Sequence, residues 1–255
     1  MILPLVVQII LLAVVQGVSE FFPVSSSGHL LLFQKFLGFN AMPLVYDIFF
    51  HLGTLLAVVI VFFKDLRELA LRFYARENFR LLLLLACASL PTAVIGLLFQ
   101  DFFESLFFST SYLGLSFLFT ALVLLASKHL RLKKKLPDFP AAFLVGVAQG
   151  IAIVPGVSRS GMTIAVALVL GMGFGFSFRF SFFLSIPAIL GATLLEAGKI
   201  PWSGGHWATL TLAVAVSALV GSLALALLKK TVLKDHFHRF AYYLLPLGVA
   251  MLLFL

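Results

Sequence analysis

A short polar segment interrupts this apolar chain twice, in nearly the same words. The first copy reads Gln16-Gly17-Val18-Ser19-Glu20-Phe21-Phe22-Pro23-Val24-Ser25-Ser26-Ser27-Gly28-His29, and the second runs from Gln149 through Pro155-Gly156-Val157-Ser158-Arg159-Ser160-Gly161 to Thr163. At a constant offset of 133 positions, Gln16 falls on Gln149, Gly17 on Gly150, Ser25 on Ser158, Ser27 on Ser160 and Gly28 on Gly161. Glu20 and His29 have no ionisable twin, and Ser26 falls on Arg159. Backbone that leaves the helix inside an apolar chain must find its hydrogen bonds in protein or around a wet cavity. The duplication therefore predicts one composite site, built from both halves of a membrane protein and divergent only in its reactive groups.

The surroundings of the two segments are those of a membrane domain. The chain is 62% hydrophobic and 11% charged, against roughly 25% charged in soluble domains. Residues 1–15 carry no basic n-region and no small-residue cleavage site precedes the polar motif, so this run is expected to stay in the membrane domain rather than serve as a signal peptide. The single cysteine, Cys87, lies in an apolar run and excludes a disulfide framework or a thiolate metal site.

The net charge of +8 is gathered in three segments: of 18 Lys and Arg, five fall in 64–80, five in 128–135 and four in 229–239. Each segment sits between apolar runs, as cytoplasmic loops do, and suits an anionic inner leaflet. Nucleic-acid binding would call for a soluble basic groove interleaved with aromatics, and this pattern argues against it.

Six segments read as spans, near 44–63, 81–99, 111–127, 177–198, 207–228 and 240–255. With the basic segments inside, the first runs inward, the second outward to Asp101 and Glu104, and the third inward. The fourth runs outward from Arg179, the fifth inward, and the sixth outward. The motif regions are too short to cross: residues 1–15 give about 22 Å of helix against a hydrocarbon core of about 30 Å. Gly17, Pro23 and the cluster 25–28 then break the helix, and an apolar run resumes at Leu30. Both regions, about 1–39 and about 140–173, read as re-entrant hairpins. Each precedes three spans, entered from opposite sides. The expected fold is an all-α integral membrane protein, a single domain over 1–255, with inverted repeats over 1–135 and 136–255. Phe49-Phe50 and Phe182-Phe183 keep the same offset.

Arg159 is the most informative charge, because an intramembrane Arg costs about 2.5 kcal/mol or more. With Ser158, Ser160, Thr163 and helix N-terminal N–H groups it reads as a phosphate cradle. The competing reading is a structural ion pair with Glu20 across the axis. Glu20 follows Gln16 by one turn, so both can face one Mg2+ or Ca2+ ion; Glu20 could instead be a general acid or base. His29 follows Ser26 by three positions, a spacing that suits a base activating a hydroxyl. Ser26 is the nucleophile candidate because the repeat sets it opposite Arg159, while Ser25 and Ser27 are candidates for capping the next helix and for binding phosphate. Asp47 and His51, one turn apart in the first span, are candidate neighbours of the site.

At these residues the chain resembles the undecaprenyl-diphosphate phosphatase family, the bacitracin-resistance proteins. That family carries (E/Q)xxxE followed by PVSS(S/T)GH, and PGxSRSxxT in its second half; these fall here at 16–20, 23–29 and 155–163. Similarity extends over residues 47–54 and 180–196. The resemblance implies hydrolysis of undecaprenyl diphosphate to the monophosphate and phosphate in a bacterial cytoplasmic membrane, with a divalent cation. It also implies that Glu20 is an essential acid, Ser26 the nucleophile, His29 the catalytic histidine and Arg159 the phosphate-binding arginine. Gln16 stands where the pattern allows Glu, and a neutral amide is a weaker metal ligand.

Two other readings share parts of this pattern. Inverted repeats with broken helices also build transporters and flippases for anionic or lipid-phosphate substrates, although a carrier has no need of a nucleophile beside a base. The type-2 phosphatidic acid phosphatases need a histidine five residues beyond their Ser-Arg, where this chain has Thr163, Ile164 and Ala165 and no His between Arg159 and His206.

Overall fold

The computed structural model describes residues 3–107, 110–129, 137–198, 206–232 and 236–254, and every regular element among them is helical. The first motif region forms α1 (Leu5–Ser19) and α2 (Ser26–Leu37), joined by a turn. They are followed by α3 (Pro43–Val61), α4 (Phe63–Leu71), α5 (Arg76–Leu98), α6 (Gln100–Phe107) and α7 (Leu113–His129). The second motif region forms α8 (Phe139–Ile151) and α9 (Arg159–Val169), again joined by a turn. After it come α10 (Phe174–Ala197), α11 (Trp207–Val232), a 3-10 turn (Phe237–Phe240) and α12 (Ala241–Phe254).

Among the described residues, five stretches are long and apolar enough to cross a membrane: Pro43–Val61, Arg76–Leu98, Phe174–Ala197, Trp207–Lys230 and Phe237–Phe254. The chain is a multi-pass membrane protein. The span expected at 111–127 is the 17-residue α7, displaced by two positions because Ser111 and Tyr112 turn before it starts, and it is shorter than those five stretches. The basic segment 64–80 is not a simple loop. Its apolar positions recur at helical spacing, so 63–71 winds into an amphipathic helix that buries Leu69, and Arg76 already opens α5. In the other two basic segments, positions 130–135 and 233–235 lie outside the described residues.

The two motif regions pack in matching ways. Within each, the two short helices lie against one another, α1 on α2 and α8 on α9. The leading helix of each also lies along a long helix of the other half, α1 on α11 and α8 on α5, while α3 packs on α11 and α10 on α5. The duplicated glycines sit at these crossings. A Cβ on Gly17 would stand 2.9 Å from the Val220 Cβ, and one on Gly150 would stand 2.5 Å from the Ile95 Cδ1. Without a hydrophobic drive between helices in lipid, such close backbone approach is what holds them together.

Polar contacts join the helix ends in two groups. At one end of the molecule Tyr46 Oη meets Thr209 Oγ1 at 2.7 Å, and Lys35 Nζ donates to Thr110 Oγ1 at 3.2 Å. Residues from the ends carrying the basic segments meet one another instead. Arg179 Nε lies 3.4 Å from Asp65 Oδ1, and Arg80 Nη2 donates to the Pro137 carbonyl at 2.8 Å.

Between these ends Phe21, Phe117, Phe182 and Phe183 fill the core around the two motif turns.

Candidate active site

Each motif turn ends in the same cap. Ser25 precedes α2 and its Oγ accepts the Gly28 N–H at 3.3 Å; Ser158 precedes α9 and its Oγ accepts the Gly161 N–H at 3.1 Å. The third member of each trio closes on the cap, with Ser25 and Ser27 hydroxyls 3.3 Å apart and those of Ser158 and Ser160 3.4 Å apart. A hydroxyl at this position satisfies an N–H that the helix leaves without a partner. The repeated Ser-x-Ser-Gly is therefore a capping unit, and it points the positive ends of two helix dipoles into the centre. The turns differ in where they bend backwards: Gly156 takes φ +88°, whereas the first turn puts Ser25 itself at φ +71°, a strained conformation for a residue with a Cβ.

The two turns touch. A Cβ on Gly28 would stand 2.9 Å from the Gly156 Cα and 2.8 Å from the Phe117 ring, so only hydrogen fits there. From α7, Thr120 Oγ1 accepts the Ser158 N–H at 3.1 Å and reaches the Gly156 carbonyl at 3.4 Å. Nothing in the sequence singled out Thr120, which looks like one more small residue of an apolar helix.

Glu20 occupies the junction and is almost fully buried. Its Oε1 accepts Arg159 Nη2 at 2.6 Å, across 139 positions of chain. Its Oε2 accepts the Ser26 hydroxyl at 2.6 Å and the Gln16 amide at 3.1 Å, and lies 3.7 Å from His51 Nε2. One carboxylate thus ties the guanidinium of the second turn to the hydroxyl of the first. Arg159 is not spent by this pair: its Nη1 is buried and has no hydrogen-bond partner among the described residues. A buried planar donor left without a partner beside Glu20, with its charge half answered, is suited to a phosphate oxygen.

His29 is brought to the same region but not to Ser26. Its Nδ1 lies 2.8 Å from the Ser25 carbonyl and its Nε2 lies 2.8 Å from Tyr243 Oη. The i, i+3 spacing sets Ser26 and His29 on adjoining positions of α2, yet the stronger acceptor for the Ser26 hydroxyl is the Glu20 carboxylate. Tyr243 lies 214 positions away and carried no sequence signal. Of the two candidate neighbours, His51 reaches Glu20 and Asp47 lies behind it: His51 Nδ1 donates to the Asp47 carbonyl at 2.8 Å, and the Asp47 carboxylate accepts from Gln34 Nε2 at 2.7 Å.

The remaining hydroxyls expected at a phosphate are used within the turns. Ser25, Ser158 and Ser160 are buried, and Ser160 Oγ reaches the Phe22 carbonyl at 3.4 Å. Thr163 is fully buried; it donates to the Arg159 carbonyl at 2.9 Å and meets Ser181 Oγ at 2.6 Å. Ser26 and Ser27 are the less buried members of the cluster.

A hard cation has oxygen available here. Gln16 Oε1 is buried without a hydrogen-bond partner, one amide away from the Glu20 carboxylate. No group of three or more His, Cys, Asp and Glu able to hold a metal occurs among the described residues. The donor set therefore fits an ion that keeps water and shares phosphate oxygens, rather than one caged by protein.

Residues 9–250 match the model of the family described as bacitracin resistance protein BacA. The chain is 41% identical to an undecaprenyl-diphosphatase of Carboxydothermus hydrogenoformans, with 96% of this chain and 95% of the relative covered. It is 38% identical to the enzyme of that name from Halothermothrix orenii, covering 96% of each. It is also 40% identical to that of Syntrophotalea carbinolica, covering 94% of this chain and 95% of the relative.

Proposed function

The chain belongs to the bacitracin resistance protein BacA family, and from that premise we propose that it hydrolyses undecaprenyl diphosphate to undecaprenyl phosphate and inorganic phosphate, returning the lipid carrier to cell-wall synthesis. The observation that carries this reading is the Glu20 bridge, with Arg159 on one carboxylate oxygen and Ser26 on the other, each at 2.6 Å.

Charge and proton can then be followed atom by atom. The free Nη1 of Arg159 and the paired helix N-termini receive the terminal phosphate. Ser26 Oγ attacks phosphorus in line while its proton passes to Glu20 Oε2. The anhydride P–O bond breaks with its electron pair on the prenyl phosphate; water then attacks the phosphoserine, and Glu20 returns its proton to Ser26 Oγ as phosphate leaves. His29 handles the proton on the water or on the leaving oxygen. Ser25, Ser27, Ser158, Ser160 and Thr163 hold these groups in place. A divalent cation, Mg2+ or Ca2+, held by Glu20 and Gln16 Oε1 would offset the charge of the diphosphate. Such fixed electrostatics are the main resource of phosphoryl transfer. A transporter or flippase would need the cradle but not a hydroxyl donated to a carboxylate.

The same proposal includes the topology. α1 with α2 and α8 with α9, at 15, 12, 13 and 11 residues, are each too short to cross about 30 Å, and we read them as re-entrant hairpins within inverted repeats 1–135 and 136–255. Support comes from the exchanged packing of α1 on α11 and α8 on α5. The end-to-end contacts also support it: Lys35 with Thr110 and Tyr46 with Thr209 pair residues expected outside, and Asp65 with Arg179 and Arg80 with Pro137 pair residues expected inside. Segments 64–80, 128–135 and 229–239 then face the cytoplasm of a bacterial inner membrane.

Phosphate release from farnesyl or undecaprenyl diphosphate by purified protein, with Mg2+ or Ca2+, is the test. The parent is expected to release phosphate, and Glu20→Ala, Ser26→Ala, His29→Ala and Arg159→Ala to lose about 100-fold or more. Four variants at parental turnover would remove the site assignment, and an inactive parent would remove the activity.

A further inference from the structure

Both ring nitrogens of His29 are held, and the two partners differ in kind. The Ser25 carbonyl, 2.8 Å from Nδ1, can only accept, so Nδ1 carries the hydrogen. A neutral imidazole has one N–H, so Nε2 offers its lone pair and the Tyr243 hydroxyl, 2.8 Å away, must be the donor. The Tyr243 ring also lies along the imidazole, with centroids 5.8 Å apart and planes 20° apart, while Phe117 lies 5.4 Å off. His29 is almost fully buried, whereas Tyr243 is 49% exposed.

We propose that Tyr243, on α12, is a positioning residue for the reaction assigned above: its hydroxyl holds His29 in the Nδ1–H tautomer and stays bonded to Nε2 in both protonation states. The inference rests on that assignment only for its catalytic consequence. A hydroxyl suits this place because it both donates and accepts. Nε2 takes its proton through Tyr243: the phenol passes its hydrogen to Nε2 and accepts one from water in exchange, so the imidazolium donates at both nitrogens and the Tyr243 oxygen accepts, with no group moving away. A lysine could not accept, and a carboxylate would add charge beside a bound diphosphate. The pair also separates two proton routes on one turn: Ser26 to Glu20, and His29 to Tyr243. The C-terminal helix is thereby part of the site, although neither motif lies on it.

Tyr243→Phe keeps the ring and removes only the hydroxyl. Phosphate release from farnesyl diphosphate is expected to show kcat lower by about tenfold, part of what general acid–base catalysis supplies, with KM and the unfolding midpoint in detergent unchanged. Tyr242→Phe, the neighbour on the same helix, is the control and should match the parent. Nitrogen-15 NMR of histidine-labelled protein gives a readout that needs no turnover. The Nε2 resonance of His29, identified by its loss in His29→Asn, should move toward that of an unbonded lone pair in Tyr243→Phe. The proposal is overturned by a kcat within twofold of the parent, by a kcat loss matched by a fall in the unfolding midpoint, by an effect confined to KM, or by an unmoved resonance. A parent that releases no phosphate defeats the phosphatase assignment, while the resonance still decides the bond.

Discussion

Replacing Arg159 by Met would strand Glu20, a carboxylate buried at the meeting of two turns. Breaking a buried pair from one side typically costs about 3–5 kcal/mol, whereas replacing both members can be nearly neutral. Arg159→Met is therefore expected to unfold at markedly lower denaturant in detergent, and the double variant Arg159→Met with Glu20→Gln to recover most of that loss. Neither should release phosphate, because the guanidinium and the carboxylate are both gone or disarmed. Denaturant midpoints beside phosphate release separate the two effects; a double variant as unstable as the single one would show that the ion pair is not what the fold lacks. Arg159→Lys tests geometry rather than charge. Lysine cannot keep one donor on Glu20 while presenting a second to phosphate in a fixed plane, so turnover should drop although the charge remains. The reactive residues were legible as types: Glu20, Ser26, His29 and Arg159 stand out against an apolar background. Their partners were not. Ser26 lies beside His29 in sequence yet bonds Glu20, because a carboxylate accepts a hydroxyl proton more strongly than an imidazole whose lone pair is already taken.

Among elements, the contact between the two turns and the support from α7 decide whether a site exists at all. A Cβ at Gly28 would press on both the Phe117 ring and the Gly156 backbone, at 2.8 and 2.9 Å. Gly28→Ala should part the turns and lower kcat by tenfold or more, about 1.4 kcal/mol of transition-state binding. Gly175→Ala, in α10 where nothing lies within 4 Å, should leave turnover unchanged. Equal activities in the two variants would show that the turns need not touch. Thr120→Val removes the acceptor of the buried Ser158 N–H and should cost about 1–3 kcal/mol, read as a lower unfolding midpoint. It should also lower turnover, since Ser158 starts the helix on which Arg159 sits. Breaks at Pro23 and at Pro155-Gly156 were legible from residue chemistry. The amphipathic winding of 63–71 was not separated from a charged loop, because its charge pattern dominates a stretch of only nine residues.

For the molecule as a whole, the proposed topology predicts sidedness. In a Cys87→Ser background, single cysteines at Arg72 and Gln100, at opposite ends of α5, should react with an impermeant maleimide from opposite faces of oriented vesicles. A cysteine at Lys35 should react from the Gln100 face. Labelling of positions 35 and 72 from one face would contradict the hairpin reading.

The sequence by itself determined the membrane class, the duplicated break and the set of reactive residue types. Hydropathy, helix breakers and charge act over a few neighbours, and so they leave a pattern along the chain. Only the tertiary structure decided that Glu20 joins Arg159 to Ser26, that Thr120 steadies the second turn and that Tyr243 faces His29. Apart from the Ser26–Glu20 bond, at 6 positions, those bonds span from 38 to 214 positions, and a hydrogen bond satisfied across such distances imposes no periodicity on the residues that make it.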